Sequence, residues 1–454
     1  MNDAQTIFFT IMEKQLSIVN NMGEPGEKTL FLFTSSYPYS SAAEDTFIEP
    51  ELPQLHKCFK TIIIIPRTLQ GTRVRVPSYI QVDTSLGEQL KLGNGILPFL
   101  NICLNATLSR IFYHELIKKR KLVFHYNSLM FLVYFSGVSY IIQKWLNRFL
   151  EKQKPDLSRT LFYTYWLNEV PLGICQAKAA MPDIKIVSRA HRGDLYEDFY
   201  NPPYLPYRPE IFQYLNKIYI ASQNGVEYLS KRYPEYGHLF QVSLLGVPDP
   251  KSETNVSTDG IFRIISCSFL IPVKRIDLLI MGLKEMGDTR KNQKYEWIHI
   301  GDGPLRQSLE KLADTELPPN IEHRFLGYLP KGGVIRYYLD NPVDVFMNTS
   351  ESEGTPVSLM EAQSCGIPCI ATSVGGNSKI VTNNNGILLP PNPSPEDISR
   401  AICELLDNPT PTQQKKIMAK IHWNNQYNSD KNYSQFSQDL SDVLRYNPQL
   451  EAAK

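Results

Sequence analysis

An excess of one charge is what this chain most plainly lacks: 47 Lys and Arg stand against 46 Asp and Glu in 454 residues. A nucleic-acid partner ordinarily leaves a basic field, so no nucleic-acid binding is expected. Paired cysteines are missing too. The seven, at 58, 103, 175, 267, 365, 369 and 403, form no Cys-x-x-Cys. Cys365 and Cys369 flank Gly366-Ile367-Pro368, but no second pair or nearby His completes a metal site. Reduced thiols packed as small apolar side chains in a cytoplasmic protein are the expectation. No Asp-x-Asp motif occurs. Residues 1–22 carry Asp3, Glu13 and Lys14 without a long apolar run, so no signal peptide is expected. The apolar stretch Ser128–Ile142 has about 15 residues, short of the ~20 that a membrane span needs.

What is present is a globular composition, 42% hydrophobic and 20% charged, which excludes a disordered chain. The length exceeds the ~250–300 residues of one core, so two domains are expected. Short apolar runs recur between longer helical segments. In the first half they are Leu30–Thr34, Thr61–Ile65, Leu122–His125, Leu161–Thr164, Ile184–Ser188 and Ile218–Ser222. In the second they are Ile261–Ser266, Trp297–Ile300, His323–Leu326, Val343–Met347, Cys369–Thr372 and Gly386–Leu389. Runs apolar on both faces, such as Ile62–Ile65, suit a buried parallel sheet, and their alternation with helices predicts α/β architecture. The polar stretch from Gly246 to Gly260 reads as a linker between two Rossmann-like domains, 1–250 and 256–423. Ligands of such sheets bind outside the carboxyl ends of the strands, so two facing sheets predict a cleft.

Asn348–Pro368 reads as strand end, loop and helix start. A helix N-terminus offers free amides and a positive dipole end to a phosphate. Glu353 lies in the loop and Glu361 two turns into the helix. Ile265–Leu279 similarly runs from strand to helix, with Lys274 and Arg275 placed for a diphosphate. Gly301-Asp302-Gly303-Pro304 follows another strand and makes a tight turn.

Glu353-Gly354-Thr355-Pro356 followed by Glu361-Ala362 resembles the signature of the retaining glycosyltransferases of the GT-B fold, family 4 of the glycosyltransferase classification. The resemblance implies that Glu353 approaches the donor sugar, that Glu361 holds the ribose, and that the backbone of Gly354, Thr355, Pro356 and Val357 touches sugar and diphosphate. It implies Lys274, with Arg275, on the diphosphate. Phe269 stands where the family usually has an arginine. Gly301 and Gly303, with Tyr328 and Leu329, match the loops around the nucleobase. The substrate implied is a nucleotide diphosphate sugar, a UDP- or GDP-sugar, with no cofactor and no metal. Residues 424–454 look like the family's terminal segment, which crosses back to the first domain.

Two first-domain loops resemble a branch that builds bacterial surface polysaccharides. Thr34–Ile48 supplies Ser40, Glu44 and Thr46 as acceptor-side candidates, and Ser188–Tyr196 supplies Arg189, His191 and Asp194. His191 is expected to contact the transferred sugar, as a neutral imidazole can; Arg192 stands where the branch commonly has Gly. The reaction implied is transfer with retention to a glycan or lipid-linked glycan, by same-face attack, with Lys274, Glu353 and His191 at the reacting centre. A nucleotide-sugar epimerase and an inactive paralogue serving another transferase are the competing readings. Lys118-Lys119-Arg120-Lys121 before Ser128–Ile142 leaves two readings open: a buried helix after a solvated charge run, or a surface resting on an anionic bilayer, peripheral on the inner face of a membrane.

Overall fold

Strands form where β-branched and aromatic residues run together, and the two sheets follow from thirteen such runs. The computed structural model describes residues 27–39, 44–90, 95–330 and 332–445. Residues 1–22 and Ser40 lie outside the described residues. The chain divides into two compact units, one reaching Ser243 and resuming at Tyr433, the other Leu244–Asn432.

The first unit holds β1 (Thr29–Thr34), β2 (Thr61–Pro66), β3 (Ile80–Val82), β4 (Thr160–Thr164), β5 (Lys185–Ala190), β6 (Lys217–Ile220) and β7 (Phe240–Val242). They form a parallel sheet in the order β3-β2-β1-β4-β5-β6-β7. Leu30 to Phe33 of β1 lie beside Ile62 to Ile65 of β2, all buried. On one face Phe31 and Phe33 meet Phe149 and Trp145 of the helix Tyr126–Gln153 at ring distances of 5.3 and 6.2 Å. On the other, Leu30 and Leu32 share a core with Phe436 and Leu440 of the helix Ser429–Arg445. Each such side chain removed from water contributes about 1.5–3 kcal/mol, which is why both faces carry helices.

The second unit holds β8 (Ile261–Cys267), β9 (Lys294–Ile300), β10 (Ile321–Gly327), β11 (Val345–Asn348), β12 (Cys369–Thr372) and β13 (Gly386–Leu389). They too run parallel, in the order β10-β9-β8-β11-β12-β13.

Both sheets are of the α/β class expected. One strand-level expectation needs correcting. Leu122–His125 is not a strand: a short helix covers Arg120–Val123, and exposed Lys121, Phe124 and His125 leave this stretch outside any sheet. The three-residue edge strands β3 and β7 take up the sheet positions instead. Ser128–Ile142 lies inside a 28-residue helix, Tyr126–Gln153. By length and composition this helix could cross a bilayer, yet 56% of its most apolar window is buried inside the structure. Leu132, Phe135, Val138, Ile141 and Ile142 belong to the first unit's core.

Candidate active site

The second unit's sheet reverses its strand order at β8: β9 and β10 extend to one side, β11 to β13 to the other. A doubly wound sheet opens a crevice at that point, at the carboxyl ends of its strands. The loops 268–275 after β8 and 349–356 after β11 meet there. The Glu351 amide donates to the Val273 carbonyl at 2.8 Å, and the Thr349 hydroxyl donates to the Arg275 carbonyl at 3.0 Å.

Lys274 and Glu353 come together in this crevice. Lys274 Nζ donates to Glu353 Oε1 at 2.7 Å. Ser350 Oγ and Asn348 Nδ2 donate to the same oxygen at 2.6 and 3.2 Å. Glu353 Oε2 takes no hydrogen bond from the described residues. The side chain is thus held from one edge and open at the other. Asn348 and Ser350 are residues of the candidate site that the sequence did not single out; the small polar run after β11 was their signal.

Arg275 has a different task from the diphosphate contact expected of it. Its backbone is left-handed, with φ 49°. Its guanidinium donates to the carbonyls of Thr349, Ser350 and Pro391 and to Asn392 Oδ1, at 2.8 to 3.1 Å. Four of its five donors therefore staple loops rather than face a ligand.

The helix Val357–Ser364 starts at Pro356 without a side-chain cap, and no acid lies in its first turn. Its leading amides are therefore not satisfied by side chains. The loop before it is braced from β12: the Gly376 amide donates to the Gly354 carbonyl at 2.9 Å. At Gly375, φ is +50° and a Cβ would stand 1.8 Å from the Glu353 carbonyl, so only glycine fits. The Gly375-Gly376 pair was also missed, because a glycine pair after a strand reads simply as a turn.

Glu361 is the unusual group. Its carboxyl has no hydrogen-bond partner among the described residues, and burial pushes its pKa up to about 7. Cys267 at the end of β8 is close enough that burial and then Glu361 raise its thiol. The residue as a whole is half-buried, and a carboxylate drawn partly out of water without donors gains from a partner that brings them.

On the other side of the crevice, the Gly301 amide donates to the Gly327 carbonyl and Leu270 N to the Asp302 carbonyl, both at 2.9 Å. The loop 301–305 approaches so closely that a Cβ on Gly303 would lie 2.6 Å from the Leu270 carbonyl. His299, held neutral by a burial that lowers its pKa to about 4, donates from Nε2 to the Ser268 carbonyl at 3.2 Å. Phe269 and Tyr328 present exposed rings, and Leu329 is half-buried.

The first unit has its own reversal between β1 and β4. Glu44, expected to face an acceptor, instead accepts the amides of Ser35, Ser36 and Tyr37 at 2.7 to 3.0 Å and the indole N–H of Trp166. It caps the loop after β1. Arg189 likewise points into the core: it pairs with Glu51 at 2.6 Å, both fully buried, and its guanidinium lies over Phe436. Burial raises the Glu51 carboxyl against the pull of Arg189. Asp194 accepts the amides of Leu167 and His191, each at 2.6 Å, and burial lifts its pKa to about 6. It is a brace between two loops. These three charged side chains were assigned outward because sequence position does not say which way a side chain turns. Thr46 is exposed.

His191 is different. Its Nε2 lies 3.1 Å from the Tyr165 carbonyl, so Nε2 carries the proton, while the other side of the ring faces the Asp194 amide in a capping box that opens the helix Arg192–Leu195. Burial first, then Arg189, hold the ring neutral with a pKa near 3. Tyr165 and Trp166 flank it, with centroids 4.8 and 4.6 Å away.

Residues 251–422 match the family model of glycosyl transferases group 1, so the body of the second unit is a group 1 glycosyltransferase domain. Two relatives agree. The chain is 29% identical over 170 residues to a phosphatidylinositol N-acetylglucosaminyltransferase component from Arabidopsis thaliana, covering 37% of this chain and 36% of that one. It is 28% identical over 172 residues to the GDP-mannose-dependent monoacylated alpha-(1-6)-phosphatidylinositol monomannoside mannosyltransferase of Corynebacterium glutamicum, covering 36% and 43%. The matches thus span well under half the length of these relatives. The solved sucrose-phosphate synthase of Thermosynechococcus elongatus superposes with a TM-score of 0.63 at 14% identity, over 94% of this chain and all of that one. The fold of both units is therefore that of the GT-B glycosyltransferases.

Proposed function

We propose that this protein is a glycosyltransferase that moves a hexose from a nucleotide diphosphate donor to a glycan or lipid-linked glycan, with retention at the anomeric carbon. The observation that carries the reading is Glu361: a half-buried carboxyl with no hydrogen-bond partner among the described residues, on the helix that follows the Glu353 loop at the reversal point of a group 1 glycosyltransferase domain. A ribose diol supplies the two donors Glu361 lacks. The open edge of Glu353 suits a sugar hydroxyl. The diphosphate gains charge as it leaves, and Lys274 and the leading amides of the helix Val357–Ser364 are the groups to stabilise it, without a metal ion. Exposed Phe269 and Tyr328 offer ring faces to a nucleobase. His191, a neutral imidazole flanked by Tyr165 and Trp166, is the first-unit group that meets a sugar hydroxyl. The relatives named for phosphatidylinositol-type substrates support a lipid-type acceptor, and the GDP-mannose-dependent one supports a nucleotide sugar as donor.

Stabilisation by a panel of UDP- and GDP-sugars tests this, since a ligand of the folded state raises stability by RT ln(1 + [L]/Kd). Stabilisation by one class, lost in Glu361→Ala and Lys274→Ala, supports the reading. Phe269 in the usual arginine's place favours a second reading, an inactive paralogue that partners another transferase; stabilisation by no nucleotide sugar would support it.

A further inference from the structure

The apolar surface of the first unit is concentrated in one place. Of the 17 exposed large hydrophobic side chains among the described residues, ten fall between Ile96 and Tyr126. Two helices carry most of them: Ile96–Leu108, then Arg110–Lys118, bent by 80° from the first. Along the first helix Leu97, Leu100, Leu104 and Leu108 recur at spacings of three and four, on one face. Ile102 and Ala106, on the opposite face, are buried, and Ile102 joins the core beneath the helix Tyr126–Gln153. Leu97 is 79% exposed, Ile117 73% and Phe124 86%. The first helix contains no charged residue.

The charge around this face has one sign. Arg110, Lys118, Lys119, Arg120 and Lys121 are all exposed, while the single acid of the stretch, Glu115, is buried and accepts the Tyr204 hydroxyl. Of the five cations, Lys118 pairs with Glu210 at 3.0 Å. A second copy of the chain would bring like charges together across the face. An apolar stripe bordered by cations fits a surface with anionic headgroups over hydrocarbon.

We propose that the helices Ile96–Leu108 and Arg110–Lys118, with Phe124 and Tyr126, are a docking face for an anionic lipid bilayer. The leucine stripe enters the headgroup boundary and the Lys118–Lys121 run lies on the phosphates. Thirteen residues make a helix about 20 Å long, too short for the ~30 Å hydrocarbon core, so the face rests on the membrane rather than spanning it. The expected site shifts with this: Ser128–Ile142 supports the face from below. The proposal stands apart from the transferase reading, because docking requires no donor.

The test is flotation of the full-length protein with vesicles of phosphatidylcholine alone or with about a third phosphatidylglycerol. The wild type is expected to float with anionic vesicles at low salt, weakly at 0.5 M salt, and little with neutral ones. Leu97→Asp/Leu104→Asp is expected to abolish flotation with an unchanged melting temperature, since both side chains are exposed. Lys119→Ala/Lys121→Ala is expected to weaken partitioning by roughly 30-fold. No wild-type flotation, or flotation that both variants retain, overturns the proposal. So does a dimer in sedimentation that Leu97→Asp/Leu104→Asp dissociates, which would make the face a self-interface.

Discussion

The carboxyl ends of the two sheets hold charged groups of the same kinds and use them in opposite ways. In the first unit Glu44, Asp194 and Arg189 are each matched to partners within the unit. In the second, Glu361 has no partner among the described residues and Glu353 is satisfied along one edge only. A sheet end whose charges are internally matched is rigid and offers little to an ionic ligand. One that keeps a half-buried carboxyl without donors favours a ligand that brings them. Under the proposed function, the polar, multiply hydrogen-bonded nucleotide goes to the second unit, and the neutral imidazole of His191 is the first unit's candidate for a sugar.

The variant expected to separate the two ends most strongly is Arg189→Ala. It leaves Glu51 buried and unpaired, a loss of about 3–5 kcal/mol of stability, readable by urea unfolding. If Arg189 faced a substrate instead, stability would hold and activity alone would fall. Next is Lys274→Ala, expected to lower kcat by about 100- to 1,000-fold as leaving-group stabilisation is lost; an unchanged rate would remove Lys274 from the chemistry. Arg275→Ala, by contrast, frees three carbonyls from their staple and is expected to lower the melting temperature as well as donor affinity, where Lys274→Ala leaves melting unchanged. His191→Ala is expected to reduce transfer by about 10- to 100-fold, for one lost hydrogen bond to the sugar, with donor binding unaffected.

The smallest effect concerns pH and stability without ligand. Glu361 is held near 7 in the folded protein, above its ordinary value of 4.5 in the unfolded chain. The folded state therefore binds the extra proton between those values. The stabilising contribution is complete below about 4.5 and is lost as the pH rises through about 7. Glu361→Gln is expected to flatten that part of the melting-temperature profile. An unchanged profile would show that the fold does not hold this carboxyl in its uncharged form.

How much of this was legible in the sequence follows from what sequence encodes. Strands apolar on both faces, such as Ile62–Ile65 and Phe346–Met347, announce a buried parallel sheet, because no other element needs that pattern. Ile80–Val82 and Phe240–Val242 are too short to show a period, and Leu122–His125 has a strand's apolar content without a neighbouring strand to pair with. Lys274, Glu353 and Glu361 lie on strand–loop–helix units whose physics favours phosphate, and the structure brings the first two into contact. Which way a side chain turns is a tertiary fact. Arg189 sits one residue after Ser188 in a buried strand, and nothing local says that Glu51, far away in the chain, receives it.

The central claim, that Glu361 completes a nucleotide-sugar site, is tested most directly by titrating the donor sugar calorimetrically between pH 6 and 8. The phosphodiester groups of a nucleotide sugar do not titrate there, so a change reports the protein. With the Glu361 pKa near 7, affinity should rise about tenfold across that range as the carboxylate forms, and Glu361→Gln should abolish the dependence. Affinity independent of pH in the wild type, or a dependence that persists in Glu361→Gln, would contradict the account.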